Sequence, residues 1–183
     1  MRLVLFIATL ALIAAPASAA PPSVDKALDG LFSKLGKVNS SEDAKPIEKE
    51  IIIQFLQSDS ATVDLLMTRV DALMGGGDKG DAEKILQAVT QIAPAYAEGW
   101  HQRGKLEAEN GHDEAAMVSL NKAVKLNPRE FEAHVELGDM LEEYGAKPAA
   151  LAEYKKALAL DPHFEGLDKR VEQLSRDVEG EKI

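Results

Sequence analysis

The stretch MGGGDKGD, residues 74–81, has the residue types of a phosphate cradle. Gly75, Gly76 and Gly77 offer bare backbone N–H groups, and Lys79 adds a cation beside Gly80. A phosphate loop also needs a preceding strand and a Ser or Thr after the lysine. Here Lys79 is followed by Gly80 and Asp81, and the segment before the glycines has helical apolar spacing, so the stretch reads as a turn. Gly75 and Gly76 fall in the last turn of that predicted helix, where each costs about 1 kcal/mol relative to alanine. The next residues with chemical potential are the four histidines, His101, His112, His134 and His163. No two have metal-ligand spacing within one helix, and the chain has no cysteine to complete a set. There is no GxSxG elbow, no cysteine nucleophile and no carboxylate pair in a recognisable setting. An enzyme is therefore not expected, and no catalytic residue, cofactor or metal is assigned.

The turn reading is strengthened by the element pattern around it. Shifted by 34 residues, the sequence aligns with itself: Ala82, Ala116 and Ala150 share a column, as do Leu86, Leu120 and Tyr154, then Val89, Ala123 and Ala157, then Pro94, Pro128 and Pro162. Gly77, Gly111 and Gly145 form a further column between segments of helical spacing, where a residue with positive φ lets one helix end and the next begin. Each unit reads as two helices. In the middle unit AEGWHQRGKLEAEN runs to Gly111 and HDEAAMVSLNKAVKLNP follows, with Asp113 and Glu114 in a first turn and Pro128 closing the second helix. Small residues at Gly104, Ala116 and Ala123 allow the two helix backbones to approach.

With Trp100, Gly104, Ala116, Leu120, Ala123 and Pro128 in one unit and Leu137, Gly138, Ala150, Tyr154, Ala157 and Pro162 in the next, the chain resembles the tetratricopeptide repeat, whose pattern is W-x2-L-G-x2-Y, A-x3-F, P. The resemblance covers residues 63–96, 97–130 and 131–164. Val70 replaces the helix-contact glycine of the first unit and Leu66 its aromatic; His134 departs from the aromatic position and Arg103 from the leucine position. The fold class implied is all-α, a right-handed superhelical array of antiparallel helix pairs with a C-terminal capping helix. Residues 20–62 extend the register loosely through Phe32, Leu35 and Gly36, with helical spacing in Val24, Leu28, Leu31, Leu35 and in Ile47, Ile51, Phe55. They are expected to form a degenerate helix pair covering the N-terminal end of the stack. Leu167, Val171, Leu174 and Val178 make the apolar stripe of a capping helix over residues 165–178, and residues 179–183 are expected to be a disordered tail.

The N-terminus, MRLVLFIATLALIAAPASAAPP, has one basic residue, an apolar run from Leu3 to Ala15, then Pro16 and Ala17-Ser18-Ala19. This is the order of a secretory signal peptide, residues 1–19, cleaved before Ala20, so a periplasmic or secreted protein without membrane insertion after cleavage is expected. The formal charge of −10 becomes −11 once Arg2 is lost, which argues against nucleic acid and anionic lipid surfaces as partners. The whole arrangement is similar to small exported repeat proteins of alphaproteobacteria.

In the tetratricopeptide repeat the first helix of each pair lines a concave groove that holds a segment of a partner. Carried over by column, that surface is Asp64, Met67, Asp71 and Met74, then Glu98, His101, Lys105 and Glu109, then Glu132, Val135, Asp139, Glu142 and Glu143. It is acidic with a few apolar footholds, and it lacks the Lys and Asn arrangement with which some family members grip a C-terminal carboxylate. The resemblance therefore implies a protein or peptide partner with a basic or mixed-charge segment. Two other readings stand beside it: a charged face that meets only water, and a scaffold or homo-oligomer assembled through the convex face.

Overall fold

The computed structural model describes residues 23–180, all of whose regular elements are helices. The signal-peptide expectation for residues 1–19 lies outside the described residues. In chain order the helices are α1 (Ser23–Leu35), α2 (Ser41–Phe55), α3 (Ala61–Gly76), α4 (Lys79–Ile92), α5 (Ala97–Glu109), α6 (Asp113–Leu126), α7 (Phe131–Glu143), α8 (Lys147–Leu160) and α9 (Leu167–Gly180).

The repeat period is written into the helix ends. Gly77, Gly111 and Gly145 have φ of 80°, 76° and 74°, the left-handed conformation that an alanine side chain would resist. After each, the next residue's N–H reaches back to a carbonyl in the closing turn: Asp78 to Leu73 at 2.9 Å, His112 to Glu107 at 2.8 Å and Ala146 to Leu141 at 2.8 Å. The outer helices end just as regularly, with Ala93, Asn127 and Asp161 donating to Val89, Ala123 and Ala157 at 2.8 Å, ahead of Pro94, Pro128 and Pro162. Gly75 and Gly76 remain helical up to the Gly77 cap, and α9 runs through Gly180 rather than ending at 178.

Within a pair, contact is set by small residues facing large ones. A side chain at Gly104 would bring its Cβ to 2.7 Å from Leu120 Cγ, and one at Gly138 would meet the Tyr154 ring, so both glycines are required by the approach of the second helix. In the first pair Val70 takes this position and is buried with Val63, Met67, Ala82, Leu86 and Val89, a looser solution in which a side chain fills the gap.

The N-terminal pair departs from expectation. The core beneath α3 and α4 includes no residue of α1 or α2 among the described residues. Instead Leu31, Leu35, Ala44 and Ile51 share one cluster with Phe131, Tyr154, Leu167 and Leu174. Phe32 meets Phe131 edge-on at 6.5 Å, Phe131 meets Phe164 at 6.1 Å, and Arg129 lies 4.4 Å over Phe32 while pairing with Asp29 at 2.8 Å. The pair thus docks on the turns that precede α7 and α9. Its apolar faces gain aromatic partners there that the exposed Leu65 side of α3 does not offer.

Candidate functional site

The inner helices α3, α5 and α7 carry the residues expected to form a groove, and the structure divides them. Asp64 and Asp71 are exposed on α3, and Met74 is half-buried against its core. Met67 is a correction: it is 6% exposed and is buried with Val63, Val70 and Leu86 in the core beneath α3 and α4, where apolar burial outweighs a place on the groove. On α7 the N-terminal half is covered. Val135 packs into the cluster that holds α1 and α2, and Glu132 is half-buried.

Glu98 and His101 are also corrections, being 4% and 1% exposed rather than groove surface. One turn apart at the start of α5, they face Glu130, which occupies the N-cap of α7, and Glu136 on α7 itself. The His101 ring has Nδ1 at 2.7 Å from Glu130 Oε1 and 3.4 Å from Glu98 Oε2, and Nε2 at 3.0 Å from Glu136 Oε2. Burial of the ring opposes its charged form, but the carboxylates of Glu130, Glu136 and Glu98 outweigh it and hold the pKa well above the usual histidine range. Burial, with the Glu98 charge nearby, pushes Glu130 up to about 7 against the pull of His101. At Glu98 burial acts in the same upward direction but is overcome by the His101 and Glu130 side chains beside it, and the pKa falls. Sequence reasoning missed this cluster because it searched for histidine pairs. The signal was the Glu-x-x-His spacing of Glu98 and His101, which puts a carboxylate and an imidazole on one helix face.

The two polar departures from the repeat pattern, Arg103 and His134, carry partners of their own. Arg103 donates from Nε to Glu107 at 2.7 Å and from a terminal nitrogen to Thr90 at 3.1 Å, while Ser119 donates to the same Glu107 at 2.6 Å. Glu107 is 3% exposed, so this pair replaces a leucine contact with a satisfied buried ion pair. His134 lies 2.7 Å from Glu153 and 3.2 Å from the Pro128 carbonyl, tying α7 to α8.

What stays open is the junction of α5 and α7 toward their C-terminal halves. A cleft of about 190 Å³ lies there, with Ala108, Leu120 and Met140 among its lining residues and Lys105, Glu109, Glu136, Asp139 and Glu143 carrying its charges. Four of these residues are expected groove positions that the structure brings together. Asp139 accepts from the Tyr154 hydroxyl at 2.7 Å and from Arg170 at 2.9 Å; Glu142 accepts from Arg170 at 3.0 Å, behind the cleft. Lys105 stands 3.5 Å from Glu136, and Glu109 pairs with Lys79 at 2.7 Å. The arrangement offers apolar surface to an aliphatic stem and an excess of carboxylates to its charged end.

Residues 97–130 match the tetratricopeptide repeat family. A TPR repeat-containing protein of Rhizobium etli is 26% identical over 163 residues, covering 89% of this chain and 80% of its own length. Among solved structures, an O-GlcNAc transferase from Thermobaculum terrenum superposes with a TM-score of 0.57 and 29% identity over 64% of this chain, which spans 23% of that protein. The Yersinia enterocolitica type III secretion chaperone SycD, in complex with a peptide of the translocator YopD, superposes with a TM-score of 0.59 and 20% identity, covering 68% of this chain and 98% of its own.

Proposed function

The chain is a tetratricopeptide-repeat protein, and on that premise we propose that it is a non-catalytic interaction module whose α5–α7 cleft receives a lysine or arginine of an extended segment in a partner protein. One observation carries this reading: Glu109, Glu136, Asp139 and Glu143 surround a small cleft lined in part by Ala108, Leu120 and Met140, with Lys105 the single cation. A basic side chain suits such a site because its methylenes bury against apolar atoms while its charged end meets carboxylates. The structural likeness to a repeat protein solved with a bound peptide supports a peptide as the occupant. The working location proposed is the periplasm of a double-membraned bacterium, supported by the leader-like residues 1–19 and checked by terminal sequencing of the exported chain.

The test uses extended peptides carrying one lysine or arginine between apolar residues, titrated at about 50 mM and about 500 mM salt while the Ala108 and Met140 methyl signals are followed by NMR. Shifts confined to the cleft are expected, with affinity falling as salt rises. Glu143→Lys, at an exposed position, is expected to weaken binding about 3–10-fold at low salt and to flatten the salt dependence. Binding that survives the reversal at both salt concentrations would leave the acidic face as solvated surface only.

A second reading has an observation of its own. A cleft of about 590 Å³ on α6 is lined by Trp100, Met117, Val118 and Lys122, and Val118 is 66% exposed. This is the surface through which a scaffold or self-assembling component would act. Val118→Lys, compared by size-exclusion chromatography with the parent chain, separates the two readings.

A further inference from the structure

The geometry points to Glu98, His101 and Glu130 as a binding site for one divalent transition-metal ion of the zinc class, at the joint between the second and third repeats. None of these three residues lines the proposed partner cleft, which this site meets at Glu136, and the assignment does not depend on that cleft being occupied.

One donor atom from each of the three residues lies within 4.8 Å of the others, all buried. Donors bonded at about 2.0–2.2 Å to a four-coordinate ion stand about 3.4 Å apart, so closing on an ion needs side-chain movements of up to about 1 Å. The imidazole is already oriented for it. Nε2 is 3.0 Å from Glu136 Oε2 and donates its proton there, so that an ion displacing the Nδ1 proton would meet that nitrogen's lone pair on the side of Glu130 and Glu98. A carboxylate behind the ring is the partner that metal-bound histidines usually have, fixing tautomer and direction together.

The independent observation is Glu130. It is 2% exposed, and neither of its carboxylate oxygens has a hydrogen-bond partner. Oε1 approaches Nδ1 of His101 to 2.7 Å without meeting hydrogen-bond geometry. A buried carboxylate left in this way is costly, and a cation between the ring and the two carboxylates satisfies it. Charge points the same way. A divalent ion with the Glu98 and Glu130 carboxylates and a neutral imidazole sums to zero. Without it, the Glu98, Glu130 and Glu136 carboxylates crowd one imidazole, and the nearby Lys105 pairs with Glu136 at 3.5 Å. One nitrogen and two carboxylates in a closed site favour zinc or its first-row neighbours, whereas calcium and magnesium need more oxygen donors or retained water. A water or a second carboxylate oxygen completes four-coordination. Because Glu98 and His101 belong to α5 and Glu130 caps α7, the ion would clasp two successive repeats.

The test adds Zn²⁺ to the chelator-treated full chain and reads stoichiometry by native mass spectrometry, affinity by calorimetry and stability by thermal melting. One zinc per chain is expected, with the melting temperature raised about 5–10 °C at free zinc some 100-fold above Kd, and no such rise with Mg²⁺ or Ca²⁺. Glu130→Gln should abolish this zinc. It keeps the shape of the side chain while removing its charge, and circular dichroism checks that the variant folds without metal. Glu136→Gln keeps all three ligands and should lower affinity about 10–100-fold through the histidine it orients. Co²⁺ in place of zinc should give the visible absorption of a nitrogen and oxygen site, lost in Glu130→Gln. Zinc binding with unchanged stoichiometry and affinity in Glu130→Gln would mean an adventitious ion only, held by surface histidines, and would overturn the assignment. So would the absence of binding to the parent.

Discussion

Gly138→Ala tests the close approach of α7 and α8. A methyl at this position would lie 2.6 Å from Tyr154 Cδ1 and 3.1 Å from Cζ, against an ordinary carbon contact of about 3.5–4.0 Å. The ring would have to retreat by about 1 Å. It has little freedom to do so, being fully buried, with its hydroxyl 2.7 Å from Asp139 and 3.0 Å from Glu142 and the Arg170 guanidinium 4.9 Å from its centre. Overpacking costs about 1–3 kcal/mol and loosening the hydroxyl contact about 1 kcal/mol more, while replacing a helical glycine by alanine returns about 1 kcal/mol. The net loss is about 1–3 kcal/mol, which lowers the melting temperature by about 3–9 °C in a chain of this size. Gly75→Ala is the companion measurement, because a Cβ there meets nothing within 4 Å and only the propensity gain should appear. In a Tyr154→Ala background the Gly138→Ala penalty should vanish. Both variants are melted by circular dichroism. A Gly138→Ala chain as stable as the parent, or one whose loss persists without the tyrosine ring, would refute the packing described for this pair.

A pH dependence is expected at the dock of the N-terminal pair, where Glu48 faces Asp161. Burial, then the Asp161 carboxylate, push Glu48 up to about 7, with Glu132 adding to the rise and Lys45 opposing it. A carboxyl raised on folding contributes stability that is complete below its unfolded pKa and is lost as pH rises through about 7. Glu48→Gln should therefore raise stability at pH 8 by about 1 kcal/mol, allowing for solvent screening of a half-exposed group, and change little at pH 4. Urea melts at the two pH values check this. Phe131→Ala removes a ring shared by α1, α7 and the turn before α9, and should cost about 3–5 kcal/mol. Limited proteolysis should then cut first between residues 36 and 60, the linkers flanking α2.

The repeats were legible because their signals are local and recur: a positive-φ glycine, a closing proline and small residues at helical spacing say where chains turn and how near helices come. Gly104 and Gly138 could be read as contact residues before their partners were known. The docking of α1 and α2 was not legible, since Asp29 and Arg129, or Phe32 and Phe131, are joined only in space and each looks ordinary within its own helix. The candidate groove was half legible. Column matching placed Lys105, Glu109, Asp139 and Glu143 around one cleft, but periodicity could not tell that Glu98 and His101 turn inward, because what buries them includes Glu130 from the turn before the next helix.

The return of the N-terminal pair onto the last repeats changes how the molecule should come apart. In an open stack each unit leans only on its neighbours, so the ends can fray without consulting the middle. Here Phe32 and Arg129 tie the first helix to the start of α7, closing a circuit through the intervening chain. Fraying from either end must first break that tie, so slow amide exchange should be nearly uniform from α1 to α9 instead of decaying toward the termini. The same long-range tie raises the contact order of an otherwise local fold, making its formation the late and slow step of folding.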